Sequence, residues 1–137
     1  MRKIAQVMAV AVIVAILLAG CLGGDVSNVQ RVVGESQIFN KGEINAAMSE
    51  VIRFFDREFD GCYLLELKYD EKCSVASSKE WVEQYGADEG IVLYATFYVG
   101  DTGGDGSLEP NSTYKNYQWV LTRSGVTGWK LQTWGYA

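Results

Sequence analysis

The segment from residue 91 to residue 99 restricts the fold more than any other part of this chain. Its side chains alternate between two sets that are both apolar or aromatic, namely Ile91, Leu93, Ala95, Phe97 and Val99, and Val92, Tyr94, Thr96 and Tyr98. Successive side chains of a β-strand point to opposite faces of the sheet, so a strand of this kind has to be covered on both faces. The segment is therefore predicted to be a central strand.

A long helix and a strand are predicted ahead of this segment. Asn40 and Glu43 have the spacing of a capping box, and apolar residues then recur at helical spacing, which predicts a helix over residues 41–59. Residues 63–70 alternate between apolar and charged side chains, which predicts a half-buried strand.

A second, short helix is predicted between this strand and the central one. Ser77 and Glu80 have capping-box spacing, and Gly86 supplies a C-terminal stop, so the helix is expected over residues 78–85.

Two further strands are predicted near the C-terminus, over residues 117–123 and 129–136, with a glycine-containing turn between them. The predicted order is α-β-α-β-β-β. Strands joined by turns pair antiparallel, and a long helix ahead of them can pack across the concave face of a bent sheet. We therefore expect an α+β fold in which a long N-terminal helix and a short helix pack on a curved four-stranded antiparallel sheet, as a cone-like roll.

The N-terminus has the three parts of a secretory signal. Arg2 and Lys3 give a positive start, residues 7–19 form an apolar run, and Gly20 provides a small exit residue. The apolar run is short for a membrane span, which needs about 20 residues. Residues 1–20 are therefore predicted to be an export signal.

The four residues Leu18-Ala19-Gly20-Cys21 resemble the lipobox of bacterial lipoprotein signal peptides. The resemblance implies cleavage before Cys21, a diacylglyceryl group on its thiol and acyl chains such as palmitate as the lipid anchor. It also implies a location at the cell membrane, on the extracytoplasmic side. The alternatives are an ordinary cleaved signal and an uncleaved anchor helix.

The stretch after Cys21 is polar and contains several glycines. Residues 21–38 are accordingly predicted to be the lipid-attachment residue and a flexible tether, followed by an α+β domain over residues 39–137. The alternative is a short strand through Arg31, Val32 and Val33, docked on the edge of the domain.

Charge restricts the partners of the mature chain. Without residues 1–20 the chain keeps ten basic and 17 acidic residues, a formal charge of −7. This excess argues against binding to nucleic acid and against electrostatic docking on anionic lipid. The predicted partners are the membrane, through the N-terminal lipid, and a protein or a small apolar ligand.

Two cysteines remain after Cys21 is assigned to lipid. If residues 63–70 form a strand, its ends are more than about 20 Å apart, and Cys73 can hardly return to within about 7 Å of Cys62. Two unpaired thiols are therefore favoured over a disulfide, although an exported protein permits one.

The order of elements, with the long helix first and a Trp-rich last hairpin, resembles the nuclear-transport-factor-2-like and cystatin-like superfamily of α+β rolls. Within residues 81–136, the stretches YGADEGIVLYATF, GGDGSLEPNSTY and GWKLQTWGY resemble those of small lipoproteins of Gram-positive bacteria. The resemblance to these lipoproteins implies no particular activity. Enzymes of the superfamily use acidic, tyrosine and often histidine groups in the cone, and this chain has no histidine to match.

The lack of histidine removes the commonest general base near neutral pH and the commonest zinc ligand. No catalytic residue, metal or cofactor is predicted. An acid with a tyrosine proton donor in an apolar cone is the remaining catalytic alternative. The acids nearest the strands and their tyrosine partners are Asp88, Glu89, Glu66, Tyr94 and Tyr98.

A glycine-rich loop begins at Asp101 and partly imitates a calcium-binding loop. Asp101 and Asp105 occupy the first and fifth positions and Gly106 the sixth, but Gly103 stands at the third and Ser112 at the twelfth, where a glutamate is needed. A glycine-rich hairpin loop without metal is the preferred interpretation.

Aromatic residues are concentrated in the last two predicted strands. Strict alternation would turn Trp134 and Tyr136 away from Trp129 and Leu131, leaving aromatics that the core does not use. The predicted binding residues are Tyr117, Trp119, Trp134 and Tyr136. The leading hypothesis is thus a membrane-anchored extracytoplasmic binding or protein-interaction module, with a small-molecule enzyme and a structural spacer as alternatives.

Overall fold

The structure is a computed structural model and describes residues 23–136. Its elements, in chain order, are β1 (Gln30–Val33), α1 (Lys41–Glu58), β2 (Cys62–Tyr69), α2 (Glu71–Tyr85), β3 (Glu89–Val99), β4 (Ser112–Arg123) and β5 (Lys130–Gly135). None of the helices in this range is long and apolar enough to cross a lipid bilayer.

All five strands belong to one mixed sheet with the order β1-β2-β3-β4-β5. β1 pairs parallel with β2, and the other neighbours pair antiparallel. The expected α+β class is correct, but the expected four-stranded antiparallel sheet is wrong. The expected order is also wrong, because a strand and not the long helix comes first. Parallel neighbours need a long crossover connection, which α1 supplies.

β1 lies in the segment that was predicted to be a tether. The alternative of an edge strand through residues 31–33 is the one that the structure shows. Arg31 ties the strand to α1, because its guanidinium donates to the Asn45 carbonyl oxygen at 3.1 Å and to the Ser49 hydroxyl at 3.2 Å. The strand has only four residues and is mostly exposed. Its sequence therefore shows no alternation of apolar and polar residues that would predict a strand.

The chain is bonded to the domain even before β1. The Gly24 N–H donates to the Asp56 carbonyl oxygen at 3.0 Å, and the Asp25 N–H donates to the Cys62 carbonyl oxygen at 2.8 Å. A side chain at position 24 would collide with Phe55, so the close approach needs glycine. Within the described range the chain is therefore hydrogen-bonded to the domain from Gly24 onward, beside the C-terminal end of α1.

α1 packs an apolar stripe on one face of the sheet. The predicted capping box is confirmed, since the Glu43 N–H donates to Asn40 Oδ1 at 2.8 Å and the Asn40 N–H donates to Glu43 Oε1 at 3.0 Å. The stripe joins the inward side chains of β2, β3 and β4 in one core. Its buried members are Ile44, Ala47, Met48, Val51 and Phe55.

α2 covers the opposite face at the start of β3. Ser74 is its buried residue, and the Ser74 hydroxyl accepts a hydrogen bond from the Val92 N–H at 2.9 Å. Gly90 leaves room for Val82, whose Cγ2 would be 2.7 Å from a Cβ at that position. Together α1 and α2 provide the cover on both faces that the alternation in β3 requires.

The predicted start of the second helix is wrong. α2 begins at Glu71, and the Asp70 carboxylate caps it by accepting from the Cys73 N–H at 3.1 Å. Ser77, which was predicted to be the cap, lies inside the helix. The first two turns were missed because the helix buries little and so lacks an apolar stripe. The predicted stop at Gly86 is confirmed by its left-handed backbone, with φ of 60°.

The two cysteines of the described range are both free thiols. Cys62 begins β2 and is buried, whereas Cys73 lies exposed in the first turn of α2.

Acid is expected to weaken the fold through Glu71. Hydrogen bonds from the Ser36 hydroxyl (2.5 Å) and the Gln37 N–H (3.0 Å) hold the pKa of this carboxyl below its ordinary value. A lowered pKa in the folded state adds stability that is present above about pH 4.5, the ordinary pKa, and is lost as the pH falls through the folded pKa. In urea denaturation, Glu71→Gln should have a lower free energy of unfolding than wild type at pH 7. That free energy should fall less than the wild-type value between pH 7 and pH 3. Parallel curves for the two proteins would contradict this prediction.

Candidate functional site

A cleft of about 270 Å³ lies where the C-terminal end of α1, the loop between β3 and β4, and the last two strands meet. Asp60 and Gly61, which follow α1, bring the chain into β2 beside this cleft. Its lining residues are Phe54, Glu58, Phe59, Asp60, Cys62, Gly104, Asp105, Ser107, Leu108, Tyr117 and Trp134. We call this the aromatic cleft.

Four aromatic side chains make the apolar walls of the aromatic cleft. The Phe54 ring centroid is 4.5 Å from that of Trp134 and 6.4 Å from that of Phe59, and Phe59 is 6.4 Å from Tyr117. Trp119 lies behind them, fully buried, with its ring 5.3 Å from Phe59 and 5.8 Å from Trp134. Such close aromatic packing holds the walls in place, so the cleft is preformed.

The rest of the cleft is formed by a loop that glycines allow to pack tightly. Gly103 has φ of 70°, and a Cβ there would lie 2.6 Å from the Leu108 carbonyl oxygen. The loop is anchored to the α1–β2 connection by the Gly100 N–H, which donates to the Gly61 carbonyl oxygen at 3.0 Å. Because left-handed backbone disfavours side chains, position 103 requires glycine.

The electrostatic character of the cleft is negative. Three of its lining residues are acids, Glu58, Asp60 and Asp105, and none is basic. Burial, together with the smaller effect of the nearby charges of Asp105 and Asp60, raises the pKa of the Cys62 thiol to about 11. The cleft therefore favours cations and keeps its thiol protonated and unreactive at neutral pH.

The predicted binding residues divide into three kinds. Tyr117 and Trp134 line the aromatic cleft. Trp119 has no exposed surface, so it supports the walls rather than contacting a ligand. Its Nε1 is buried without a hydrogen-bond partner among the described residues. Tyr136 is 58% exposed and lies beside the cleft, with its ring 5.3 Å from that of Tyr117.

A β-bulge corrects the expected direction of Trp134. Leu131 pairs with Leu121 and Trp134 pairs with Trp119, so the register shift between them adds one residue to β5. Strict alternation would have turned Trp134 away from Leu131, but the extra residue returns it to the core side. Trp134 therefore stacks on Trp119 at the mouth of the cleft and is still 40% exposed.

The sequence missed the contribution of α1 and the loop to this site. Phe54 and Phe59 were assigned to a helix. They line the wall of the cleft only because of the way in which that helix crosses the sheet. Asp105 was considered only as a calcium ligand. The one available signal was the aromatic density of the last strands, which identified half of the aromatic walls.

The structure does not assemble the alternative acid and tyrosine pair. Asp88 accepts from the Gly125 N–H at 2.7 Å, and Glu89 pairs with Arg123 at 2.9 Å. The Tyr94 hydroxyl bonds Ser77. These partners leave neither acid hydrogen-bonded to a tyrosine among residues 23–136.

The remaining acid and tyrosine, Glu66 and Tyr98, are also not brought together. Glu66 pairs with Thr96 across the strands, and the Tyr98 hydroxyl donates to Asn111 Oδ1 at 3.2 Å. Both Thr96 and Tyr98 alternate with the core residues of β3, so these groups lie on the face opposite α1.

The two aspartates of the supposed calcium loop do not converge. Asp105 lines the aromatic cleft and accepts from the Ser107 N–H at 3.0 Å. Asp101 instead lines a shallower groove of about 630 Å³ that it shares with Tyr63 and Tyr98 on the opposite face of the sheet. Within the described range no three histidine, cysteine or acidic residues cluster in a way that could hold a metal.

Comparisons with protein-family models, with curated proteins and with solved structures find no match to this chain. The predicted signal and Cys21 lie outside the described residues. The resemblances to bacterial lipoproteins and to the α+β rolls therefore stay expectations from the sequence.

Proposed function

We propose that this protein is a membrane-anchored extracytoplasmic lipoprotein that binds a small ligand in the aromatic cleft. The observation that carries the binding role is the preformed cleft itself, with four aromatic walls beside a fully buried tryptophan. A cavity with rigid apolar walls and a few polar groups is the usual form of a small-molecule site. Its volume of about 270 Å³ limits the ligand to a small molecule or a single side chain.

The anchoring role is supported by the lipobox resemblance at Cys21. Because the chain is hydrogen-bonded to the domain from Gly24 onward, only two residues, Leu22 and Gly23, separate the proposed lipid on Cys21 from that point. The three Cα–Cα steps from Cys21 to Gly24 span at most about 11 Å. The anchored domain would consequently stand directly on the membrane, with the C-terminal end of α1 and the aromatic cleft close to its surface.

Lipid attachment is tested by the intact mass of the protein produced with its own N-terminus in a bacterium. Wild type should lack residues 1–20 and carry a diacylglyceryl group, whereas Cys21→Ser should retain the full precursor mass. Cys73→Ser, which removes an exposed thiol, is the matched control and should keep the lipid. The proposed anchor would be overturned if wild type carried no lipid and had the same protein mass as Cys21→Ser.

The binding site is tested by ligand-observed NMR on the full chain with a set of neutral, cationic and anionic fragments. Trp134→Ala removes one wall and should weaken the binding of the hits about tenfold or more, because an aromatic pair contributes beyond its buried area. Tyr63→Ala, which removes an exposed aromatic from the opposite face, should leave them unchanged. Hits that respond to Tyr63→Ala and not to Trp134→Ala, or no hits at all, would overturn the proposed site.

A further inference from the structure

We propose that the aromatic cleft selects an alkylammonium cation of the trimethylammonium type. This inference rests on the proposed function, since it names the ligand class of the same cleft. It is carried by the combination of aromatic walls and unneutralised carboxylates in one small cavity.

The aromatic walls are suited to a weakly hydrated cation. The negative face of an aromatic ring attracts a cation within about 6 Å of the ring centroid, and quaternary ammonium groups are recognised in this way by aromatic cages. Phe54 already carries a cation, because the Arg57 guanidinium lies 5.6 Å from its ring centroid. The cleft adds Phe59, Tyr117 and Trp134 to the aromatic surface available to a ligand.

Two of the three carboxylates of the cleft supply charge that no basic residue of the described range neutralises. Glu58 forms an ion pair with Arg57 at 2.9 Å. Asp60 and Asp105 form no ion pair with any residue of the described range, and no lysine or arginine lines the cleft. An anion would therefore be repelled, and a neutral ligand would leave Asp60 and Asp105 without an opposite charge.

The size of the cleft separates this ligand class from larger cations. At about 270 Å³ it is below the usual range for drug-sized ligands of about 300–1,000 Å³. It fits a methylated ammonium with a short substituent. A polyamine or a basic peptide could place only one cationic group inside.

The experiment compares choline with 3,3-dimethylbutan-1-ol, its uncharged analogue of nearly the same shape. Each is titrated into the full chain in a non-ionic detergent, and binding is followed by tryptophan fluorescence and NMR. Choline should bind about ten times more tightly than the neutral analogue, because the two differ in charge alone.

Two matched charge variants localise the effect. The double variant Asp60→Asn with Asp105→Asn keeps the shape of the cleft and should reduce the preference for choline several-fold. Asp101→Asn removes a carboxylate from the same loop but on the opposite face, so it should leave the preference unchanged.

A second arm identifies the source of the cation. Glycerophosphocholine carries the same ammonium with the phosphate of a lipid headgroup. Binding as tight as that of choline would assign the ligand to a choline headgroup. Weaker binding, from repulsion between the phosphate and the acids of the cleft, would assign it to a free alkylammonium.

Equal affinities for choline and its neutral analogue would overturn the charge selectivity and leave an apolar binding site, in agreement with the proposed function alone. Binding of choline that persists in Trp134→Ala and in the double aspartate variant would place it outside the cleft and also overturn the inference. Failure of every fragment to bind would instead overturn the proposed function.

Discussion

Replacing Phe55 with alanine is expected to lower the free energy of unfolding by about 4 kcal/mol. Phe55 is fully buried in α1, stacked on Phe59 at 4.7 Å and in edge contact with Phe97 at 5.7 Å. Its ring also lies against Gly24, where the chain enters the domain. The loss therefore combines the transfer free energy of the ring with a cavity that three separate elements line.

The measurement is urea denaturation followed by far-ultraviolet circular dichroism. Val75→Ala is the control, because Val75 is 47% exposed on α2 and its truncation should change stability by less than about 0.5 kcal/mol. A loss below about 2 kcal/mol for Phe55→Ala would show that the packing of α1 described above is incorrect.

Replacing Arg123 with alanine is expected to cost about 2 kcal/mol of stability. The Arg123 guanidinium pairs with Glu43 at the start of α1 and with Glu89 at the start of β3, the latter at 2.9 Å. It also lies over two aromatic rings, 4.3 Å from the centroid of Trp129 and 5.6 Å from that of Phe39. Because its side chain is only 20% exposed, these contacts are partly shielded from water and are stronger than a surface ion pair.

Two further variants test this explanation. Arg123→Lys keeps the charge but loses the planar fork and its stacking, so it should retain only part of the stability. Arg53→Ala removes an exposed pair with Glu50 and should cost about 0.5 kcal/mol or less. Equal costs for Arg123→Ala and Arg53→Ala would contradict a role for Arg123 in joining α1 to the sheet.

Local sequence patterns predicted the elements that carry their own signal. The double apolar alternation placed β3 in the middle of the sheet, and the Asn40 and Glu43 spacing located the start of α1. Sequence patterns did not predict the elements that are stabilised mainly by contacts with other elements. β1 has only four residues, and the first half of α2 buries only Ser74. Neither segment therefore shows a periodic pattern of apolar residues.

The candidate site was predictable only in part for the same reason. Aromatic density pointed to the region of Tyr117 and Trp134, but alternation gave Trp134 the wrong face because a bulge has no clear signature in a single sequence. Phe54 reaches the cleft through the crossing of α1 over the sheet. Asp105 reaches it through the folding of a glycine-rich loop.

By itself, the sequence determined that a sheet strand must be covered on both faces, that a capped helix follows Asn40, and that aromatics collect in the last strands. These properties depend on neighbouring residues, whose spacing is visible along the chain. Only the tertiary structure decided that β1 joins the sheet, that Trp134 turns inward, and that acids and aromatics meet in one cleft. Such contacts join residues far apart in the chain, and their free energy comes from burial and pairing that exist only after folding.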